Sequence, residues 1–405
     1  MAAEQARTFD LIVVGCGPAG MAAAYTAAKA GLSVCALDKS SFPRDKLCGG
    51  LLTERSRRIF QSTFDRPWDP GLTTTSDHVV FLMKNRRLAE LAGYSELHFT
   101  MRREFDAHLV EIAEKAGVEM RLNVQIETMD FASQRLTFSD GEPLTYRRLI
   151  GADGVNSRVG QLLFGQAFDP RTIGFGLEVE VPLEDLATQG RVVEIDFGTV
   201  NWGYGWVFPK KKTFTIGVGG VHRANPQLRE ALSDYLAAKG LEPTAYRVKG
   251  QYIPFGDFHA HPGQGNVLLC GDAAGFVDPV TGEGIAYAIE SGALAARAIV
   301  NALQGDGSSA LPAYERGIAR IASSLRQARW WRQFIFAAWA RAPFSALFAD
   351  AGTLQRGYLD ILAGNRGYED LPALFVEQAK RALRKLARHA MARDRPKQDA
   401  GGRGE

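Results

Sequence analysis

Two hydrophobic periodicities alternate along the chain. Residues 9–14 form a short, β-branched apolar run that predicts a buried strand. An alanine-rich stretch, 21–29, predicts a helix that Gly31 ends, and 32–37 predicts a second strand. Apolar runs at 149–152 and 267–270 predict two further buried strands, and 285–303 predicts a long helix. Between these segments the pattern changes to period two. Residues 192–197 and 213–218 are examples, and they predict antiparallel strands with one covered face.

The turn between the first strand and helix reads Gly15-Cys16-Gly17-Pro18-Ala19-Gly20, a GxGxxG. Gly15 allows the tight turn, Gly17 lets the backbone approach a pyrophosphate, and Gly20 lets helix pack on strand. Open amides and the dipole at the helix start favour phosphate charge. Asp38 stands at the end of the second strand, 18 positions after Gly20, where it can accept hydrogen bonds from ribose hydroxyls. The motif alone does not choose between NAD and FAD.

Composition narrows the class. With 46% hydrophobic and 23% charged residues, the chain is too apolar for disorder. A net charge of +3 excludes a dedicated nucleic-acid binder. Glu4, Arg7 and Asp10 precede any apolar run, so no secretory signal is expected. No apolar stretch reaches the ~18 residues of a membrane span. Cys16, Cys35, Cys48 and Cys270 form no CxxC, which disfavours a disulfide scaffold or metal site and predicts a reducing, cytoplasmic setting.

Two later segments choose the nucleotide. One strand ends in Gly151-Ala152-Asp153-Gly154; another ends in Gly271-Asp272, followed by Pro279 and Gly282-Glu283-Gly284-Ile285. With the GxGxxG, these motifs resemble the FAD-dependent oxidoreductases built like para-hydroxybenzoate hydroxylase. The resemblance implies that Asp272 binds the ribityl chain, with nearby amides such as that of Gly271 on the pyrophosphate. It places the backbone at Pro279, Gly282, Gly284 and Ile285 near the flavin ring, and aims Arg102 at the cofactor. Lys39, Arg44, Cys48, Gly49, Asp153 and Gly154 complete the expected FAD contacts. The implied fold is α/β: a Rossmann-like FAD-binding domain (1–70, 100–165 and 260–305) with an inserted antiparallel-sheet substrate domain (71–99 and 166–259). A C-terminal helical region (306–395) and a disordered tail (396–405) follow.

Pro43-Arg44-Asp45-Lys46-Leu47-Cys48-Gly49-Gly50 and Tyr204-Gly205-Trp206-Val207-Phe208-Pro209 resemble the geranylgeranyl reductase family in particular. That family implies hydride transfer from reduced flavin to the double bonds of a prenyl chain. Cys48, Tyr204 and Trp206 are the candidate catalytic residues. By strand alternation Tyr204, Trp206 and Phe208 share one face as an aromatic wall suited to a flat ring or apolar chain. Cys48 is either a chemical group beside Arg44 and Lys46 or a small residue in a crowded turn. The Trp-x-Trp-x-Ile-Pro of flavin halogenases is not met at positions 204 and 208. The alternatives are an FAD monooxygenase or halogenase acting on an aromatic substrate, and a non-enzymatic prenyl binder. Only one GxGxxG has the right context, so NAD(P)H or reduced ferredoxin is expected to meet the flavin transiently.

Residues 310–348 carry Trp330, Trp331, Phe334, Phe336, Trp339, Phe344 and Phe348 among Arg326, Arg329, Arg332 and Arg341. Residues 380–397 hold eight Lys/Arg against one acid, Asp394. The aromatic segment predicts peripheral contact with the inner membrane face, packing on the substrate domain or a dimer face, and the basic segment predicts contact with anionic lipid or a solvated end.

Overall fold

The computed structural model describes residues 7–186, 190–305, 307–349, 352–378, 380, 381 and 384. The expected disordered tail and most of the basic segment lie outside them.

In chain order the elements begin β1 (Arg7–Val14), α1 (Pro18–Lys29), β2 (Val34–Asp38), β3 (Leu51–Leu52), α2 (Glu54–Phe64), β4 (Thr73–Ser76), β5 (Val79–Met83), β6 (Arg86–Leu91) and β7 (Leu97–Thr100). There follow α3 (Arg102–Lys115), β8 (Glu119–Leu122), β9 (Ile126–Asp130), β10 (Arg135–Phe138), β11 (Leu144–Gly151), α4 (Arg158–Phe164), β12 (Gly174–Pro182) and β13 (Val193–Phe197). The remainder is β14 (Tyr204–Pro209), β15 (Thr213–Val221), α5 (Leu228–Ala237), β16 (Lys249–Ile253), β17 (Gly263–Gln264), β18 (Val267–Leu269), α6 (Ile285–Gln304), α7 (Leu311–Phe336), α8 (Arg341–Ala349) and α9 (Gly352–Ala363). Helix α1 starts at Pro18 rather than at Met21, because proline fits the first helical position, where its missing N–H is not needed.

Strands β8, β2, β1, β11 and β18 lie side by side and parallel. Parallel strands need both faces covered, and their near-continuous apolar sequence supplies this. Leu11, Ile12, Val13, Cys35, Ala36, Leu149 and Ile150 are fully buried, with α1, α3 and α6 packed in the same core. The second sheet runs β16-β12-β15-β14-β13-β5-β6 and is antiparallel except at β13–β5. One face (Leu177, Val179, Val181, Val207, Ile216, Val218) packs on Leu228, Leu232, Tyr235 and Leu236 of α5. The other face carries Trp206 and Phe208 into a core shared with Phe336, Phe344, Phe348 and Tyr358 of the C-terminal helices. A three-stranded sheet, β3-β7-β4, lies beside the loop that carries Cys48.

Candidate active site

The C-terminal ends of β1, β2 and β11 and the segment after β18 open into one cavity of about 450 Å³, roofed by the second sheet. Ligands in parallel sheets bind at this end, outside the carboxyl edge.

At the β1–α1 turn Gly15 has φ +103°, and a Cβ there would sit 2.3 Å from the Ala152 carbonyl oxygen. A Cβ on Gly20 would sit 1.8 Å from the Gly15 oxygen, so Gly20 sets helix-to-strand contact and stands behind the cavity wall. Gly17 is different: a Cβ there meets only an Arg44 Nη, at 3.6 Å, and otherwise points into open space. No side chain caps α1 at Gly17, and none caps α6 at Gly284. Both helix N-termini border the same cavity; at α6 the Glu283 carboxylate takes the Ala286 amide at 2.8 Å, so the open start of α1 is the one that suits a ligand rich in negative charge. Asp38 accepts from the Cys16 and Ser40 amides, both at 2.9 Å, and lines the cavity beside Lys39.

Pro18, Ala19, Arg44, Gly49, Gly154, Asp272, Pro279, Gly282, Gly284 and Ile285 all line this cavity. Gly271 does not; its positive φ turns the chain against Ala19 and Ala288. Asp153 borders the cavity, but its carboxylate is spent on α4, accepting from Ser157 Oγ and from the Arg158 and Val159 amides. Lys46 lies near Asp272; burial lowers its pKa, and the Asp272 charge opposes that shift.

Arg102 lines the cavity too, with its guanidinium fixed from behind. Its Nε and an Nη donate to the two oxygens of Asp106 at 2.7 and 2.8 Å, one turn along α3. An Arg44 Nη reaches the same carboxylate at 3.2 Å. Asp106 is fully buried, so one carboxylate aligns both guanidinium groups. The reading of the sequence passed over it; its i, i+4 spacing from Arg102 was the available signal.

The aromatic wall is present. Tyr204–Trp206 and Trp206–Phe208 ring centroids are 6.0 and 6.3 Å apart. The Trp206 indole lies across Gly217 of β15, where a Cβ would come within 2.3 Å. The alternatives of cavity wall and ordinary core are both true here: Trp206 and Phe208 belong to the core and line the cavity. The Tyr204 hydroxyl donates to the Thr281 carbonyl at 2.5 Å, and burial raises its pKa. Cys48 Sγ accepts from the Gly50 amide at 3.3 Å, and the thiol lies beside Arg102. Cys16, Cys35 and Cys270 are buried in the sheet core, and burial pushes their thiol pKa values up.

Two further groups were not legible as site residues. Fully buried Lys210, next after the strand that carries the aromatic wall, donates to the Gly49 and Thr100 carbonyls and so fastens the Cys48 loop to β7. Glu178 of β12 lines the cavity and accepts from the Cys48 amide at 3.0 Å. The apolar set Leu177, Val179 and Val181 faces α5, which turns Glu178 to the opposite face. Alternation alone could have shown this.

A parallel-sheet nucleotide cradle with an open helix start, under an aromatic-roofed cavity, suits a dinucleotide-dependent oxidoreductase. The family of lycopene cyclase proteins matches residues 10–350. The chain is 32% identical over 317 residues to the menaquinone reductase of Mycobacterium tuberculosis (71% of this chain, 75% of that one). It is 31% identical over 310 residues to the geranylgeranyl diphosphate reductase of Rhodobacter capsulatus (72% and 74%). The crystal structure of a geranylgeranyl bacteriochlorophyll reductase-like protein from Thermoplasma acidophilum has the same fold, with a TM-score of 0.75 at 19% identity, covering 91% of this chain and 99% of that one. The chain belongs to the lycopene cyclase protein family and, among FAD-dependent oxidoreductases, to the geranylgeranyl reductases.

Proposed function

We propose that the protein saturates carbon–carbon double bonds in a prenyl chain carried by a lipid or quinone. The observation that carries this reading is the continuity of one cavity. Its glycine-lined, cationic end suits a dinucleotide, and its other end is walled by Tyr204, Trp206, Phe208, Phe255 and Phe336. A narrower apolar recess lined by Phe197, Phe344, Phe348 and Tyr358 shares Thr281 with it and extends toward the C-terminal helices. The names of the two reductase relatives support a prenylated substrate.

FAD, when bound, supplies two-electron hydride chemistry at the cavity. Gly15, Gly17, Asp38, Arg44, Asp272 and the residues at the start of α6 would hold it. The aromatic wall excludes water and aligns an apolar chain. Tyr204 holds the 281–284 loop in place through the Thr281 carbonyl; a Cβ on Gly282 would sit 2.7 Å from the tyrosine oxygen. An isolated alkene accepts hydride poorly, so a proton must arrive at the neighbouring carbon nearly in step. We assign the electrons to NAD(P)H or reduced ferredoxin docking transiently.

The assay is anaerobic incubation of the reduced holoenzyme with prenylated quinones and geranylgeranyl lipids, read by mass spectrometry. A gain of two hydrogens per saturated bond is expected. Hydroxylation of an aromatic substrate under oxygen, with no saturation, would instead support a monooxygenase. Cys48→Ala should keep flavin absorbance and lower turnover, since the thiol lies beside Arg102 at the cavity wall. Full activity would remove Cys48 from the chemistry.

We also assign the α7–α8 corner to lipid-surface contact. Trp330 and Trp339 are 57% and 68% exposed, and Phe334 sits between them at ring distances of 4.6 and 5.8 Å. Arg326 and Arg329 on α7 are exposed beside this patch. Among the described residues no helix is long and apolar enough to cross a membrane. Replacing both tryptophans by serine should abolish cosedimentation with anionic vesicles and leave flavin content unchanged; undiminished cosedimentation would sink the assignment.

A further inference from the structure

We propose that the Glu178 carboxyl is the acid that supplies the proton consumed in each double-bond reduction. The proposal rests on the function argued above and names a residue for the step left open there.

The sheet register puts Glu178 in the reaction space. Glu178 lies directly opposite Gly217, and Gly217 lies directly opposite Trp206. Residues directly opposed across an antiparallel sheet share a face. Glu178 and Trp206 therefore face the cavity from either side of a position with no side chain. The indole covers Gly217 and runs on toward Gly219 and Gly176, with its Nε1 on the side of Gly49, next to Cys48. On the far side Glu178 opposes Lys249 of β16.

The two carboxyl oxygens are not equivalent. Oε1 accepts the Cys48 amide at 3.0 Å. Oε2 is buried and has no hydrogen-bond partner among the described residues. Glu178 as a whole is only 4% exposed and lines the cavity. A buried polar atom normally finds a partner. A neutral acid carries its proton on Oε2, the oxygen that no described protein group engages. The indole Nε1 of Trp206 is likewise buried without a partner. Glu178 and Trp206 thus each bring an unpartnered polar atom to residues that line the cavity.

The surroundings favour the neutral acid at working pH. Burial, and then the negative charge of Glu180 two positions along the strand, push Glu178 up to about 7. Lys210 from the end of β14 and Lys249 from β16 oppose this, as does the Cys48 amide. Each cation has other commitments: Lys210 donates to the Gly49 and Thr100 carbonyls, and Lys249 pairs with Asp45 at 3.7 Å. Glu180 is itself bound by the Thr213 and Thr215 hydroxyls. The Tyr204 hydroxyl, the other acid on this wall, donates its hydrogen bond to the Thr281 carbonyl, so its proton is less available.

In the step, the Oε2–H bond of Glu178 breaks and the π pair of the alkene takes the proton to form one C–H bond. The other carbon receives hydride, and the reduced flavin is the species oxidised. Glu178 is left as a carboxylate facing Lys210 and Lys249 and is reprotonated from solvent. Activity needs the protonated form, so turnover falls as pH rises through the Glu178 pKa, about 7.

The test compares holoenzymes of wild type, Glu178→Gln and Glu178→Asp. Wild type should saturate the prenyl substrate and lose turnover above a pH of about 7. Glu178→Gln should retain flavin, accept electrons from dithionite at the wild-type rate, and saturate substrate about 10²–10⁴-fold more slowly with that pH limb gone. Infrared difference spectra should show a protonated carboxyl in wild type that titrates in the same range and is missing from Glu178→Gln. If Glu178→Gln does not retain flavin, Glu178→Asp decides: a slower enzyme with a displaced limb supports the proposal, and an unchanged rate and limb overturn it. Wild-type activity in Glu178→Gln, or no titrating carboxyl in the wild-type spectra, also overturns it. A wild-type enzyme that saturates no prenyl chain overturns the functional reading and takes this step with it; an active wild type with an indifferent Glu178 removes the step alone.

Discussion

Replacing Gly17 by valine will give a folded but colourless protein. Gly17 has φ −79° and ψ −175°, a conformation open to any residue, so valine brings no backbone strain. A Cβ there meets no backbone atom and only an Arg44 Nη, at 3.6 Å. The branched side chain instead fills the space in front of the α1 amides, where the pyrophosphate must approach. Losing two hydrogen bonds to a charged group, at about 1.5–3 kcal/mol each, amounts to about 10²–10⁴ in affinity. Flavin absorbance after gel filtration and the urea midpoint of the flavin-free protein are the two measurements. Gly20→Val is the contrast. Its Cβ would lie 1.8 Å from the Gly15 oxygen, so the helix must leave the strand, at a cost of about 1–3 kcal/mol or more. A Gly17→Val protein that holds flavin as tightly as wild type would place the cofactor elsewhere.

Asp106→Ala will destabilise the protein by about 3–5 kcal/mol, the usual cost of stranding a buried partner charge. Asp106 is fully buried, and the Arg102 side chain it grips is only 9% exposed. Its removal leaves that guanidinium, and the less buried one of Arg44, without a counter-charge at the cavity wall. Because folded domains are stable by only about 5–15 kcal/mol, a loss of this size moves the denaturant midpoint far down. Urea unfolding with and without FAD measures it. An Asp106→Ala midpoint within error of wild type would mean that water or another group neutralises both cations.

These two predictions differ in how much of them was legible before folding. The glycines at 15, 17 and 20 were readable because their reasons are local: one strand, one turn and one helix start contain the motif. The same holds for Tyr204, Trp206 and Phe208, since a period of two along a single strand sorts their faces. Asp106 was half readable, through its helical spacing from Arg102; that Arg44 arrives from a loop 62 positions earlier was not. Lys210 looked like a charge at the end of a strand, and only the fold reveals that it fastens the Cys48 loop to β7.

The chain by itself determined the nucleotide cradle, the parallel core around it and the aromatic strand, because patterns within about ten to twenty residues specify each of them. Tertiary structure alone decided that β12, β15 and β14 lie adjacent, so that Glu178, Gly217 and Trp206 share a row. It also decided that Cys48 hangs its amide on that glutamate from 130 positions away. Strand order and register depend on burying whole faces against distant helices, a condition that no local run of residues contains.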